Sequence, residues 1–331
     1  MKLNFSIIIP IYNRPAELDE LLSSITLQQF KANFEVIVIE DGSSLPSEEV
    51  IEKFKNKLNL KYYKKKNSGP GLSRNFGMER ASGNYFIILD SDCILPESYL
   101  NSVSEKLSIN YTDAFGGPDA AHNSFTVIQK AINYAMTSLL TTGGLRGNKN
   151  LKKFQPRSFN MGISKKAFEK TGGFSSLRYG EDINLTFRLW DNNLETQFIE
   201  NAYVYHKRRI NWVSFFKQTF NFGAARPILN KLHPKTAKIT YWFPAVFVVG
   251  FITSLMAVLF HFNWFVYAFV CYFLIMFIDT FVKNKNIIVA FLSIWASLVM
   301  FFGYGLGFLR STIRISILLK PIELAFPSMF K

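Results

Sequence analysis

The chain has 331 residues, 49% of them hydrophobic and 19% charged, with a formal net charge of +14. That length accommodates one large or two average domains with a sizeable core. Two cysteines, Cys93 and Cys271, in unrelated segments exclude a disulfide framework and fit a reducing compartment.

At the N-terminus the apolar run Ile7, Ile8, Ile9 is cut short by Pro10 and Asn13, too short for a signal peptide, so the first domain is expected on the cytoplasmic side. Residues 6–11 read as a strand, Asn13-Arg14-Pro15 as a break, and residues 16–27 as a helix with Leu18, Leu21, Leu22 and Ile25 at helical spacing. A second strand over 34–39 ends in the loop Glu40-Asp41-Gly42-Ser43-Ser44, and a helix follows over 47–58. Residues 61–64 read as a weak third strand, 71–80 as a helix, and 85–89 as a fourth strand whose continuous apolar run suits cover on both faces. This alternation predicts an α/β fold with a mostly parallel, Rossmann-like sheet whose ligands bind beyond the carboxyl ends of its strands. Polar clusters fall there: Asn13-Arg14 after the first strand, Glu40-Asp41 after the second, and Asp90-Ser91-Asp92 after the fourth.

Two carboxylates one residue apart after a buried strand suit a hard divalent cation that bridges to phosphate oxygens. The run Ile87-Ile88-Leu89-Asp90-Ser91-Asp92-Cys93, with residues 6–14 and Ile39-Glu40-Asp41-Gly42-Ser43, resembles glycosyltransferase family 2. Further matching segments are Arg74-Asn75-Phe76-Gly77, Asn160 to Ser164, Thr171-Gly172-Gly173-Phe174 and Gly180-Glu181-Asp182. The resemblance covers about the first 225 residues and implies the GT-A (nucleotide-diphospho-sugar transferase) fold and inversion at the anomeric carbon. It implies that Pro10, Tyr12 and Asp41 hold the nucleoside base, and that Arg14, Glu40, Arg74, Asp90 and Ser91 belong to the donor nucleotide site. By the same resemblance Asp92 binds a divalent cation, Mn2+ or Mg2+, Asp90 contacts the ribose or supports the metal, and His206 completes the metal or diphosphate site. Asp182 is the expected base and Glu181 the alternative; as a pair they equally suit the cap of a helix starting near Ile183.

Residues 207–238 carry Lys207, Arg208, Arg209, Lys217, Arg226, Lys231, Lys235 and Lys238, with no acid, interleaved with Trp212, Phe215, Phe216, Phe220 and Phe222. Lying just before a membrane-length apolar run, this block fits an anionic bilayer surface better than nucleic acid. Residues 239–278 and 286–309 contain no charge, and His261-Phe262-Asn263 divides the first stretch, which predicts crossings near 241–260, 264–282 and 287–308 and a basic tail over 310–331. Length favours three crossings. The positive-inside bias of Arg310, Arg314 and Lys320 favours the alternative, in which the last segment bends back around Gly303, Gly305 and Gly307. The expected organisation is a catalytic domain over 1–206, an interfacial segment over 207–238, and membrane helices over 239–309.

Processive synthases of the family carry Gln-x-x-Arg-Trp near the membrane; here Gln218-Thr219-Phe220-Asn221-Phe222 lacks the Arg-Trp pair. The expected function is therefore transfer of a single sugar from a nucleotide sugar to a lipid-linked or other glycan acceptor at the inner face of the cytoplasmic membrane. A polysaccharide synthase and a catalytically inactive scaffold of the same fold are the rivals.

Overall fold

The computed structural model describes residues 2–120, 125–143, 153–206 and 211–330. They form two compact units, one of residues 1–122, 149–206 and 330–331, the other of 123–148 and 207–329. Along the first unit run β1 (Phe5–Ile11), α1 (Pro15–Thr26), β2 (Glu35–Asp41), α2 (Glu48–Phe54), β3 (Leu60–Lys65), α3 (Pro70–Glu79) and β4 (Tyr85–Leu89). β5 (Cys93–Ile94), α4 (Tyr99–Ile109), β6 (Ala114–Gly116) and β7 (Asp119–Ala120) follow. The second unit then contributes α5 (Val127–Thr137) and α6 (Leu139–Thr142) before the chain returns with β8 (Asn160–Ser164), α7 (Lys165–Thr171), α8 (Glu181–Asp191), β9 (Thr196–Phe198) and β10 (Val204–His206).

The main sheet is seven-stranded, in the order β3-β2-β1-β4-β8-β6-β9. Its β3, β2, β1 and β4 are parallel, while β8 lies antiparallel between β4 and β6. Side chains alternate between its faces with the two-residue strand period. Ile7, Ile9, Val36, Val38, Ile87 and Leu89 pack with α1 and α4 on one side; Ile8, Ile37, Ile39, Phe86 and Ile88 pack with Met78, Leu185 and Leu189 on the other. Cover on both faces is why these strands are apolar throughout, as expected of β4 from its sequence. The helix expected over 47–58 ends at Phe54, where Lys57 and Leu58 donate back to the Phe54 carbonyl in a turn. A separate three-stranded sheet, β5-β10-β7, pairs His206 with Cys93 in register.

The second unit holds α5, α6, α9 (Trp212–Leu232), α10 (Phe243–Val258), α11 (Trp264–Asn284) and α12 (Ile287–Thr312). Residues 123–148, expected in the catalytic domain, belong here because α5 buries Ala131, Ile132, Ala135 and Met136 in one cluster with Phe215 and Ala296. Three stretches among the described residues are long and apolar enough to cross a membrane: Ile239–Val258, Trp264–Asn284 and Ile287–Ile317. The bend around Gly303, Gly305 and Gly307 does not form, since α12 runs unbroken through all three. These glycines instead admit close neighbours: a Cβ on Gly303 would lie 2.1 Å from Thr219 Oγ1, and one on Gly307 2.1 Å from the Phe220 carbonyl oxygen.

Candidate active site

Each polar cluster sits where an apolar strand of the first unit ends. After β1, Asn13 takes a left-handed conformation, φ 55°. Its side-chain oxygen accepts from the backbone N–H groups of Ser44 and Leu45, at 2.8 and 2.9 Å, and so ties the loop after β1 to the loop after β2. Beside it Tyr12 leaves its ring 52% exposed, while Pro10 is half-buried.

Glu40 and Asp41 are both buried. Glu40 accepts from the Ser43 hydroxyl, from Ser47 N–H at 3.0 Å and from the Tyr62 hydroxyl at 3.1 Å. Asp41 accepts from Ser68 N–H and Gly69 N–H, both at 2.9 Å, and pairs with Lys65. Gly42 has φ +73°, and a Cβ there would meet Asn67 N at 2.7 Å, so only glycine brings the two loops this close. Both acids thus shape the rim, with their oxygens engaged by the protein itself.

The Arg74 side chain is only 3% exposed, with Nη2 donating to Asp90 Oδ1 at 2.7 Å and Nη1 to Glu181 Oε1 at 3.0 Å. One guanidinium therefore binds the strand-end motif to the start of α8. Such a buried, forked, charge-assisted arrangement demands arginine rather than lysine. Burial would lower the Arg74 pKa, but Asp90 and Glu181 outweigh it and raise it. Glu181 also takes the Ser158 hydroxyl at 3.4 Å. Burial, reinforced by the Asp182 charge and opposed by Arg74, pushes the Glu181 carboxyl up to about 7.

Asp182 is the more accessible of the two acids. One of its oxygens accepts from Ile183 N–H at 2.7 Å; the other lies 3.7 Å from Arg157 Nη1, beyond hydrogen-bond range. Both acids occupy the first turn of α8, where negative charge suits the helix N-terminus, while Gly180 holds the N-cap position.

Asp92 Oδ2 accepts from Arg14 Nη1 at 2.7 Å, and Asp92 Oδ1 faces His206 Nε2 at 3.2 Å. That second oxygen and His206 Nδ1 are buried with no hydrogen-bond partner among the described residues. Burial alone would raise the Asp92 pKa, but His206 and Arg14 hold it well below the usual carboxylate range. A buried carboxylate oxygen left unbonded beside an imidazole nitrogen is a donor set that suits a divalent cation. Cys93 reaches the same neighbourhood, but its thiol points at the Phe159 carbonyl, 3.4 Å away, and burial with Asp92 and Asp90 nearby pushes its pKa up. Ser91 is buried between the two acids.

Several contributors escaped the sequence reading. Phe159 stacks on the His206 ring at 4.7 Å and 12°, fixing its orientation. Asn160 lies in a segment whose sequence matches the family, and the structure adds what it touches: fully buried, it accepts from Tyr99 Oη at 2.6 Å and donates to the Ala202 carbonyl at 2.8 Å, holding β8 to the segment that leads into β10. Lys65, the last residue of β3 within a run of three lysines, and Arg157 were also unforeseen, since neither stands in a spacing that marks a site. Lys207, Arg208 and Arg209 of the basic block lie outside the described residues.

The family model "Glycosyl transferase family 2" matches residues 6–172, which include β1 to β4, the Asp90-Ser91-Asp92 motif and β8. The chain belongs to glycosyltransferase family 2. Among curated family relatives, the poly(ribitol-phosphate) β-N-acetylglucosaminyltransferase TarS of Staphylococcus aureus is 34% identical over 114 residues, which are 34% of this chain and 20% of TarS. A GalNAc(5)-diNAcBac-PP-undecaprenol β-1,3-glucosyltransferase of Campylobacter jejuni is 26% identical over 67% of this chain and 68% of its own length. The match thus spans a fifth of TarS and about two thirds of the Campylobacter protein. Among solved structures, TarS residues 1–349 with UDP-GlcNAc superposes with a TM-score of 0.50 at 24% identity, covering 67% of this chain and 66% of that one. A Pyrobaculum calidifontis mannosyltransferase with GDP-Man and Mn2+ reaches 0.57 at 13% identity, covering 93% and 88%. At these identities the superpositions establish the GT-A fold alone.

Proposed function

We propose that this family 2 chain is an inverting, metal-dependent enzyme that moves one sugar from a nucleotide sugar to a membrane-proximal, lipid-linked acceptor in cell-surface glycan assembly. The observation that carries the reading is the Arg74 bridge. It holds the donor-side acid Asp90 and the acceptor-side acid Glu181 in one frame, with Asp92 two residues from the first, Asp182 next to the second, and each presenting an oxygen free of hydrogen bonds among the described residues.

In this reading Pro10, Tyr12 and Asp41 border the base, with the exposed Tyr12 ring free to stack, and Arg14, Glu40 and Ser91 shape the nucleotide's surroundings. Asp92 and His206 would hold the Mn2+ or Mg2+ ion, which supplies charge neutralisation to a leaving nucleoside diphosphate. Asp182 accepts the proton of the acceptor hydroxyl, and attack from the face opposite the leaving group inverts the anomeric centre in one displacement. Glu181, locked to Arg74, positions that base instead of replacing it. The C. jejuni relative's lipid-diphosphate acceptor supports the choice of a lipid-linked acceptor.

The same proposal places the first unit in the cytosol at the inner membrane, with two crossings, α10 and α11. The bridge between Leu177 and Phe330, both in the first unit, supports an even number of crossings. Such a topology keeps Lys283, Lys285, Arg310, Arg314 and Lys320 on the cytosolic side, where basic residues concentrate.

The test is turnover of a panel of nucleotide sugars by the detergent-solubilised full chain, with and without chelator. Chelator-sensitive turnover of one donor, with a product one sugar longer than the acceptor, is expected. Long homopolymer from a single donor, or turnover of none, would overturn the reading.

A further inference from the structure

Arg226, in the middle of α9, is buried in the second unit with Nη1 lacking any hydrogen-bond partner among the described residues. The other described cations of the basic block, Lys217, Lys231, Lys235 and Lys238, are all exposed to solvent or lipid. The guanidinium Cζ lies 4.1 Å from the centroid of the Tyr241 ring. That contact satisfies the face of the cation and leaves Nη1 unanswered.

No carboxylate of the unit is available to answer it. The only acids in residues 123–148 and 207–329 are Asp279 and Glu323. Asp279 pairs with Lys283 at 2.8 Å and accepts from Tyr134 Oη at 2.7 Å, and Glu323 is exposed. A buried arginine without a counter-charge is strongly unfavourable, so the site is arranged for an anion supplied from outside.

Other buried polar atoms without partners among the described residues lie toward the C-terminal ends of α9 and α12. Gly303 packs beside Phe216 and Thr219, and Gly307 beside Phe220 and Ala224, so α9 and α12 run parallel in close contact. One turn further along the pair come Arg226 and Asn230 on α9, and Ser311 and Thr312 on α12. Among the described residues Asn230 Oδ1, Ser311 Oγ and Thr312 Oγ1 are all buried without partners, as is Arg226 Nη1. Tyr241, beneath the guanidinium, clusters with Phe308, the residue one turn before Thr312. An arginine edge, two hydroxyls and an amide that can turn its NH2 inward form a donor set for a phosphate oxyanion.

We propose that Arg226, Asn230, Ser311 and Thr312 bind the phosphate of a membrane lipid, which anchors the α9–α12 pair at the headgroup level. The site rests on the reading of the second unit as membrane-embedded, and is independent of the donor chemistry in the first.

Trp242, whose ring lies 4.9 Å from that of Phe308, is a built-in reporter. The detergent-solubilised full chain is titrated with short-chain phosphatidic acid, with the chain-matched diacylglycerol, and with inorganic phosphate. The Trp242 signal is isolated by difference against Trp242→Phe, and donor binding is followed in parallel. Saturable binding of phosphatidic acid is expected, weakened at least about tenfold in Arg226→Gln and within about threefold in Arg226→Lys, as loss or retention of a charge-assisted bond implies. Diacylglycerol binding as well as phosphatidic acid, or Arg226→Gln binding it as well as wild type, overturns the site. Inorganic phosphate binding as tightly as the lipid overturns the lipid source and keeps the anion chemistry. Loss of donor binding in wild type indicts the proposed enzymatic function, not this site. Retained affinity in Arg226→Lys shows that the loss in Arg226→Gln is one of charge rather than of fold.

Discussion

Asp92 concentrates more of the site's electrostatics than its neighbours, since it is half-buried, paired with Arg14 and left with one oxygen that faces His206 and has no hydrogen-bond partner among the described residues. Asp92→Ala is expected to lower kcat/KM by roughly 10²–10³-fold, the size expected for losing preorganised stabilisation of developing charge, with the fold retained but the melting temperature lowered by the loss of the partner of Arg14. Asp182→Asn, which keeps shape and removes basicity, should depress kcat with little change in donor KM; unchanged kcat would transfer the base role to Glu181. Two other carboxylates bear on stability with opposite signs. Burial would raise the Glu35 pKa, but Lys61, Ser6 and Ser82 outweigh it and lower it to about 2. Its stabilising contribution, on the order of 3 kcal/mol, is therefore complete above about pH 4.5 and lost as pH falls toward 2. Glu181, raised to about 7, keeps its proton in the fold where the unfolded chain has released it, so stability declines as pH rises from about 4.5 through 7. Melting temperatures across pH 4 to 8 should lose that decline in Glu181→Gln and keep it in Glu35→Gln.

At the scale of elements, most of the first unit follows from periodicity. α1 starts at a proline and buries Leu18, Leu21, Leu22 and Ile25 as their spacing predicts, and β4 is apolar because both its faces are covered. The failures have local causes. Residues 55–58 keep helix-forming composition yet turn back on Phe54, and the bend expected at Gly303 to Gly307 gives way to close packing of α9 on α12. A glycine is equally consistent with a break or a close approach when only its own chain is known. Gly307→Val separates the two outcomes, because its side chain has no room beside the backbone of Phe220 and Ala224. A marked fall in melting temperature of the full chain is expected; tolerance of valine would mean that the helices do not touch there.

For the whole molecule, the two units divide the work. The first contains every proposed donor and catalytic residue, and the second contains all three membrane-length helices. The two-crossing topology is checked by introducing Ser328→Cys, at an exposed position, into a Cys271→Ser background. Membrane-impermeant maleimide should label it only in inverted vesicles. Labelling in intact cells would mean that α12 crosses and that the Leu177–Phe330 pairing does not form in the membrane.

The sequence by itself determined the family, the alternating architecture and the strand-end placement of Tyr12, Asp41, Asp90 and Asp92, because these depend on local composition and on motifs with fixed spacing. Tertiary structure alone decided what those groups touch. That Arg74 joins Asp90 to Glu181, that Phe159 orients His206, that residues 123–148 belong with the C-terminal helices, and that Arg226 is buried without an acid all depend on segments far apart in the chain. Hydrophobic periodicity reports which face of an element is covered. It carries no information on which distant segment covers it, and in this protein the site is made at those distant contacts.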